Sequence, residues 1–405
     1  MSAAPRFANL DFTPPPVLES IQKRSLIIGA AVLVLCGIGW GMNADRFFRS
    51  YLVGYMLWLG ISLGCFAFLL VQHLSGGGWG LVIRRVLEAA SSTRVFLFMA
   101  VLFLPVVMGM GRLYEWTHAD RVAQDHLLAH KAAYLNTGFF LARAAFYFAV
   151  WLLWSRLLAV WSERQDKSDD VLVRARLQFI SGPGLLLYGL TVTFAAVDWV
   201  MSLDPHWFST IYGMLFMAGQ GISAMCFVIA MGVLLTKYRP MSEIMRPDHF
   251  HDLGKLMLAC VMLWAYFAFS QFLIIWSGNL AEEIPWYIRR LDAGWQFVAL
   301  ALILFHFALP FLLLLSRDLK RHGRRLVRVA ILLLAVRLVD LFWMVAPNFP
   351  EAQHGVQFHW LDVAAPVGIG GIWMFAFVWQ LRGRPLVPLY DPRLKDVLES
   401  EHAAH

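Results

Sequence analysis

The feature that constrains this chain most is a series of apolar runs that recur along almost its whole length. Each run is about 20 residues long, which is the length that an α-helix needs to cross the hydrocarbon core of a bilayer. Hydrophobic residues make up 59% of the chain, more than in soluble domains, and the mean hydropathy is +0.61. The pattern predicts an all-α integral membrane protein of about ten spans, centred near Val34, Ser62, Leu102, Ala149, Gly189, Ala224, Trp264, Leu304, Ala335 and Trp373.

Positive charges are distributed unevenly between the two sides that ten spans define. About 25 lysines and arginines fall on the side of the termini, against 7 on the opposite side. Because cytoplasmic loops carry this excess in membrane proteins, the pattern predicts that both termini are cytoplasmic. The net charge of +7 is then a consequence of topology and indicates no nucleic-acid partner.

Little of the chain lies outside the predicted spans. We expect a cytoplasmic tail over residues 1–24, a ten-helix membrane domain over 25–385 and a second cytoplasmic tail over 386–405. The amphipathic stretch WGLVIRRVLEAASS, residues 79–92, predicts a helix that lies along the cytoplasmic surface. Gly60 and Gly64 in span 2 are typical of closely packed helices.

Ionisable residues inside the spans carry the functional hypothesis, because each costs on the order of 2.5–3.5 kcal/mol at a helix centre. The set comprises Arg143 in span 4, Asp198 in span 5, His306 in span 8, and Arg337 and Asp340 in span 9, with the polar Gln271 in span 7.

These residues have two interpretations. In the first they are structural pairs: Arg337 and Asp340 are three residues apart and share a helix face, and Asp198 meets Arg143 or Arg337 across helices. In the second, Arg143, Asp198 and Asp340 lie in the same outer part of the membrane, at the depth of Gln271, and line one polar cavity. We take this cavity, open to the periplasmic side and shared by several spans, as the working hypothesis.

A second cluster of polar residues marks the cytoplasmic entry to span 7, in the string PDHFHDLGK. His251, Asp252 and Lys255 lie on or near one face of a helix start. They are either a solvated helix end in which Asp252 complements the helix dipole, or the mouth of a proton path. His306, near mid-membrane, is either a hydrogen-bonded core histidine or a relay between the two sides.

The sequence lacks the motifs with which membrane proteins hold redox groups of their own. Only one histidine lies deep in a span, whereas a bis-histidine haem needs paired histidines in facing spans, and no iron–sulfur cysteine set, P-loop or HExxH motif is present. The four cysteines, Cys36, Cys65, Cys226 and Cys260, fall singly in predicted spans. We therefore expect neither a metal site nor a redox cofactor held by this chain's own ligands.

Several long strings in the chain resemble those of one membrane-protein family. They are AAVDWVMSLDPHWFSTIYG, HDLGKLMLACVMLWAYFAFSQFLIIWSGN with EEIPWYIRR after it, FHFALPFLLLLSRDLKR and LVDLFWMVAPNF. The family is the second of the two NrfD-like (polysulfide-reductase-like) membrane subunits of bacterial alternative complex III, the quinol:cytochrome c oxidoreductase. The resemblance covers roughly residues 25 to 385.

The resemblance implies a fold, partners and a location. The fold consists of two four-helix bundles, approximately residues 47–203 and 206–347, flanked by spans 1 and 10. The implied partners are a paralogous NrfD-like subunit, an iron–sulfur subunit, haem c subunits, lipids and a terminal oxidase, in the bacterial inner membrane. Haem c and the iron–sulfur clusters belong to those partners, and quinol is the small molecule that the complex oxidises near the periplasmic face.

In this family quinol oxidation is placed in the paralogue, so the chain is expected to be an accessory subunit without catalytic residues. It then contributes a proton path or part of a quinone-side cavity. Two alternatives remain: a structural scaffold of the same complex, and a secondary transporter. The transporter predicts helices broken near the midplane, for which Gly182-Pro183-Gly184 in span 5 is the one candidate.

Overall fold

The computed structural model describes residues 12–167, 171–388 and 390–391, and those residues are helical with no strand. Ten helices are long and apolar enough to cross a membrane, so the expected all-α fold of about ten spans is confirmed. They are span 1 (Val17–Met42), span 2 (Ala44–Ser75), span 3 (Arg84–Met108), span 4 (Thr137–Gln165), span 5 (Leu172–Leu203), span 6 (Tyr212–Leu235), span 7 (Pro247–Gly278), span 8 (Trp295–Leu315), span 9 (Gly323–Asn348) and span 10 (Leu361–Leu381).

The spans form two rings of four helices. Spans 2, 3, 4 and 5 pack against one another in sequence, and span 5 closes on span 2. Spans 6, 7, 8 and 9 repeat this arrangement, with span 9 closing on span 6. Span 2 packs on span 6 and joins the bundles, while span 10 packs on span 2 and carries span 1 on its outer side. This is the arrangement that the family resemblance implies.

The ends of the membrane domain meet on one side. The backbone N–H of Leu386 donates a hydrogen bond of 3.2 Å to the carbonyl of Phe12. Both termini therefore leave the domain on the same face, as an even number of spans requires. We call this face the inner side and the opposite face the outer side.

One of the contacts between the two bundles, that of span 2 with span 6, depends on a glycine. A Cβ atom added at Gly64 would overlap the backbone carbonyl oxygen of Gln220 in span 6. A Cβ atom at Gly60, one turn earlier on span 2, would lie 3.5 Å from the Gln220 side chain, in ordinary contact. Gly64 thus sets the distance between spans 2 and 6, whereas Gly60 has room for a methyl group.

Substituting Gly64 with alanine is expected to lower the free energy of unfolding by about 1–3 kcal/mol, the usual cost of overpacking. The new methyl group meets backbone and can be accommodated only if the two bundles separate. Thermal unfolding of the purified protein in detergent measures the effect. Gly60→Ala in the same motif is the matched control, and equal melting temperatures for the two variants would contradict this account of the bundle contact.

Span 5 is continuous where the transporter alternative expects a break. Its helix runs from Val171 to Trp199 with Pro183 inside it. Two other spans are irregular. Span 3 is divided into Arg84–Ala90, Thr93–Leu102 and Leu104–Met108, and in span 8 residues Ile303–Ala308 form a π-helical segment between two α-helical parts. Each bundle therefore contains one irregular span, and neither irregularity lies at Gly182-Pro183-Gly184.

The prediction that residues 79–92 form a surface helix is wrong. The segment turns into the protein, and Leu81 through Ala90 are buried, apart from the partly buried Glu88. Arg84 donates to Glu88 at 2.9 Å and to Asp391 at 3.1 Å, and Arg85 donates to Glu88 at 2.6 Å and forms an ion pair with Asp166. The arginines that looked solvated are neutralised by carboxylates, two of which come from distant parts of the chain.

Candidate functional site

The first group of buried charges lies within the first bundle. Arg143 of span 4 donates two hydrogen bonds to the carboxylate of Asp198 in span 5, at 2.8 and 3.0 Å. Tyr147, one turn after Arg143, donates a third at 2.7 Å. Asp198 is fully buried, and the remaining guanidinium nitrogen of Arg143 donates to the carbonyl of Tyr134 at 2.9 Å. Each charge in this group is therefore both paired and hydrogen-bonded, which buried ions require.

The second group lies within the second bundle. Arg337 and Asp340, three residues apart on span 9, form a buried ion pair, as their spacing predicts. The indole nitrogen of Trp264 in span 7 donates to the same carboxylate at 3.1 Å. Gly219 of span 6 leaves the space in which the Arg337 guanidinium lies, since a Cβ atom there would overlap it. This pair is thus held by three helices of its own bundle.

His306 lies next to the second group. Its ring is fully buried and meets the Trp264 ring edge to face, with centroids 4.2 Å apart. Neither ring nitrogen has a hydrogen-bond partner among the residues that the structure describes. Buried polar groups without partners are rare, and those that occur mark ordered water or a functional group. The π-helical segment that carries His306 is also a feature that is frequent at functional sites.

Direct contacts divide these residues between the two bundles. The hydrogen bonds of Asp198 stay within spans 4 and 5, and those of Asp340 stay within spans 7 and 9. In the described parts of the chain no hydrogen bond or ion pair joins the two groups. The described contacts thus form two clusters, each with counter-ions from its own bundle, and the single polar cavity shared by both bundles stays a prediction.

Gln271 belongs to neither cluster. Its side chain accepts a hydrogen bond from Ser209 at 3.1 Å and lies 3.4 Å from the hydroxyl of Tyr287. It therefore links the connection between spans 5 and 6 to the short outer helix Ile284–Leu291. Gln271 thus connects two outer segments by hydrogen bonds and does not contact either pair of buried charges.

A cavity of about 280 Å³ lies on the outer side of the first bundle. It adjoins the first group, since Tyr134 and Ser202 line it, and the Ser202 hydroxyl also donates to the carbonyl of Asp198. The rest of its lining is largely apolar and comes from Lys131, Leu135, Val197, Met201, Pro205, Trp207 and Phe208. Its size is close to the lower end of small-molecule sites.

A buried cation in the outer connection between spans 7 and 8 contacts the outer end of span 9. Arg290 is fully buried and donates at 3.0 Å to the carbonyl of Met344 and to the side chain of Asn348. Its guanidinium lies 3.5 Å from the centroid of the Trp286 ring. Burial lowers the pKa of Arg290 to about 9, so it remains protonated at neutral pH. Nothing in its local sequence distinguishes it from the partly exposed Arg289.

On the inner side, His251, Asp252 and Lys255 lie in the first turns of span 7. Lys255 forms a partly exposed ion pair of 3.0 Å with Asp252. His251 lies within electrostatic range of this pair and also of Lys320 and Arg317. The sequence-predicted mouth residues are thus neighbours, and the cations around them outnumber the carboxylates.

These features define the class of protein: a ten-span all-α membrane protein with ion pairs buried separately in two helix bundles. Within the described residues, no group of three or more histidine, cysteine, aspartate or glutamate side chains could hold a metal ion. No family model matches the chain, and a search of curated proteins finds none that is similar to it.

Sequence reasoning found the ion pairs but missed their supporting side chains. Tyr147 could have been found, because it lies four residues after Arg143 and so shares its helix face. The hydrogen bond from Trp264 to Asp340 could not be predicted, because tryptophan is common in apolar spans. The burial of Arg84 and Arg85 was not predicted, because two of their three counter-ions, Asp166 and Asp391, are remote in sequence.

Proposed function

We propose that this chain is a membrane subunit of a respiratory quinol:cytochrome c oxidoreductase of the alternative complex III type, in the bacterial cytoplasmic membrane. The support is the resemblance of its long strings to the second NrfD-like subunit, together with the two four-helix bundles that this resemblance implies. Its partners in this proposal are a paralogous membrane subunit, an iron–sulfur protein and haem c proteins.

Within that complex, the chain contributes a proton path through its second bundle. The observation that carries this role is His306, an imidazole that is fully buried without a hydrogen-bond partner beside Trp264 and the Arg337–Asp340 pair. An unsatisfied imidazole is costly to bury, which favours a position where water and protons reach it. Histidine can both accept and release a proton near neutral pH.

The first bundle has a different proposed role. The charged groups of its Arg143–Asp198 pair are hydrogen-bonded by protein groups. The pair therefore stabilises the packing of spans 4 and 5 and does not carry protons. The adjoining outer cavity is the part of the chain that could contribute to a quinone-side pocket. Its aromatic and aliphatic lining suits a ring with a hydrocarbon tail, and Lys131 and Ser202 offer polar contacts.

Purification of the complex through a tag on this chain tests the proposal. We expect iron–sulfur and haem c proteins to co-purify in mild detergent, with quinol:cytochrome c oxidoreductase activity in the same fraction. Deleting the chain should abolish that activity in the membranes. A preparation without c-type haem, together with unchanged activity after deletion, would exclude the proposal.

A pure scaffold role in the same complex is the second candidate, and the complete hydrogen bonding of Asp198 favours it for the first bundle. Under this alternative, variants of His306 change neither turnover nor proton release. Variants of either ion pair then reduce only the amount of assembled complex. A blue-native gel run beside an activity assay separates the two candidates.

A further inference from the structure

The stretch of residues 317–328, which runs from the inner connection between spans 8 and 9 into span 9, concentrates positive charge that the described residues neutralise only in part. Its only acidic residue, Asp318, is paired with Arg325 and His322. Arg321 is paired with Asp248 of span 7, at 3.3 Å. The remaining cations of this stretch have no ion-pair partner among the described residues; they are Arg317, Lys320, Arg324 and Arg328.

Lys320 is the unusual member of this set, because it is only 7% exposed. Its aliphatic stem packs against the backbone of span 7 at Gly254, where an added Cβ atom would lie 2.7 Å from the Lys320 Cγ atom. Lysine can bury its stem in this way and keep its ammonium group at the surface. Gly254 therefore makes the space that holds Lys320 between the inner ends of spans 7 and 8.

The neighbours of Lys320 are also basic. Lys255, one residue after Gly254, acts on Lys320 electrostatically, and both Lys320 and Arg317 act on His251. Asp252, the carboxylate that acts on His251, is already paired with Lys255. Burial, and then the charge of Lys255, lowers the pKa of Lys320. Among the described residues this surface carries more cations than carboxylates, so it favours the binding of an anion.

We propose that Lys320, Lys255 and Arg317 bind the phosphate of an anionic phospholipid. The short helix Arg317–Arg321 connects two membrane spans and so lies at the level of the inner headgroups. Anionic lipids of the cytoplasmic leaflet attract such juxtamembrane cations. Lysine ammonium groups bind phosphate as point charges, which suits a headgroup whose orientation is not fixed. This lipid site is independent of the role proposed for His306.

The purified complex in detergent provides the test, with thermal unfolding as the readout. Phosphatidylglycerol added in mixed micelles is expected to raise the melting temperature by about 2 °C or more, as a ligand specific for the folded state does. Phosphatidylcholine should raise it by less than half as much. Lys320→Met should lose most of the phosphatidylglycerol effect, while Lys320→Arg, which keeps the charge, should retain it.

Arg239→Gln is the matched control, because Arg239 is an exposed inner-side arginine already paired with Glu243. It should respond to phosphatidylglycerol like the unaltered protein. Without added lipid, Lys320→Met should melt at the same or a higher temperature, since it removes an unneutralised charge. A full lipid response in Lys320→Met, or an equal response to inorganic phosphate alone, would overturn the assignment to a phospholipid.

Discussion

Replacing Arg143 with methionine is expected to lower the free energy of unfolding by about 3–5 kcal/mol, the cost of breaking a buried ion pair from one side. The substitution leaves the carboxylate of Asp198, which is fully buried, with the hydroxyl of Tyr147 as its remaining side-chain donor. Methionine fills much of the volume of the arginine stem. The decrease in the free energy of unfolding therefore measures the loss of the charge and not a loss of packing. Thermal or denaturant unfolding in detergent measures it.

The double variant Arg143→Met/Asp198→Asn is the control for this prediction. Asparagine keeps an acceptor for Tyr147 and removes the unpaired charge, so the double variant should recover most of the lost stability. Buried ion pairs can often be replaced by neutral groups at little cost. If the double variant is as unstable as Arg143→Met alone, the loss comes from packing and the account of the first bundle is wrong.

Replacing His306 with leucine is expected to have the opposite pattern of effects. Turnover in the assembled complex should fall on the order of 10²-fold, the lower end of what proton-transferring groups contribute. The melting temperature should stay the same or rise, because the variant removes a buried polar group whose ring nitrogens have no described partner. Quinol:cytochrome c turnover and thermal unfolding of the same preparation check both parts.

Phe305→Leu provides the matched control for His306→Leu. Phe305 precedes His306 in the same π-helical segment, but its side chain is 44% exposed on the outside of the bundle. Its replacement should change neither turnover nor stability appreciably. Normal turnover in His306→Leu would remove the relay, and a matching loss in Phe305→Leu would show that the segment itself, and not the imidazole, is responsible.

The fold could be predicted from the sequence because its main determinants are local. A bilayer requires about 20 apolar residues for each crossing, and this requirement can be read along one run without knowledge of its neighbours. The Arg337–Asp340 pair was predictable for the same reason, since both residues lie within one turn of one helix.

The site was less predictable because its geometry depends on contacts between helices. Equal depth along two spans does not bring Asp198 and Asp340 together, and each found partners in its own bundle. Arg84 illustrates the same problem: its partner Asp391 lies 307 positions away, so a segment that looks like a solvated surface helix is buried. The π-helical segment at His306 differs in this respect, because Pro310 is a local signal: it lies four residues after His306 and cannot donate the helical hydrogen bond to the His306 carbonyl.

The central claim is that the two bundles have different roles. The buried charges of the first bundle stabilise its fold, and His306 in the second bundle relays protons. Proton release per quinol oxidised, measured for the complex reconstituted in vesicles, tests this division most directly. We predict the unaltered value for Arg143→Met/Asp198→Asn and a reduced value for His306→Leu. Unaltered proton release in His306→Leu, with a loss in the Arg143/Asp198 variant, would contradict the account.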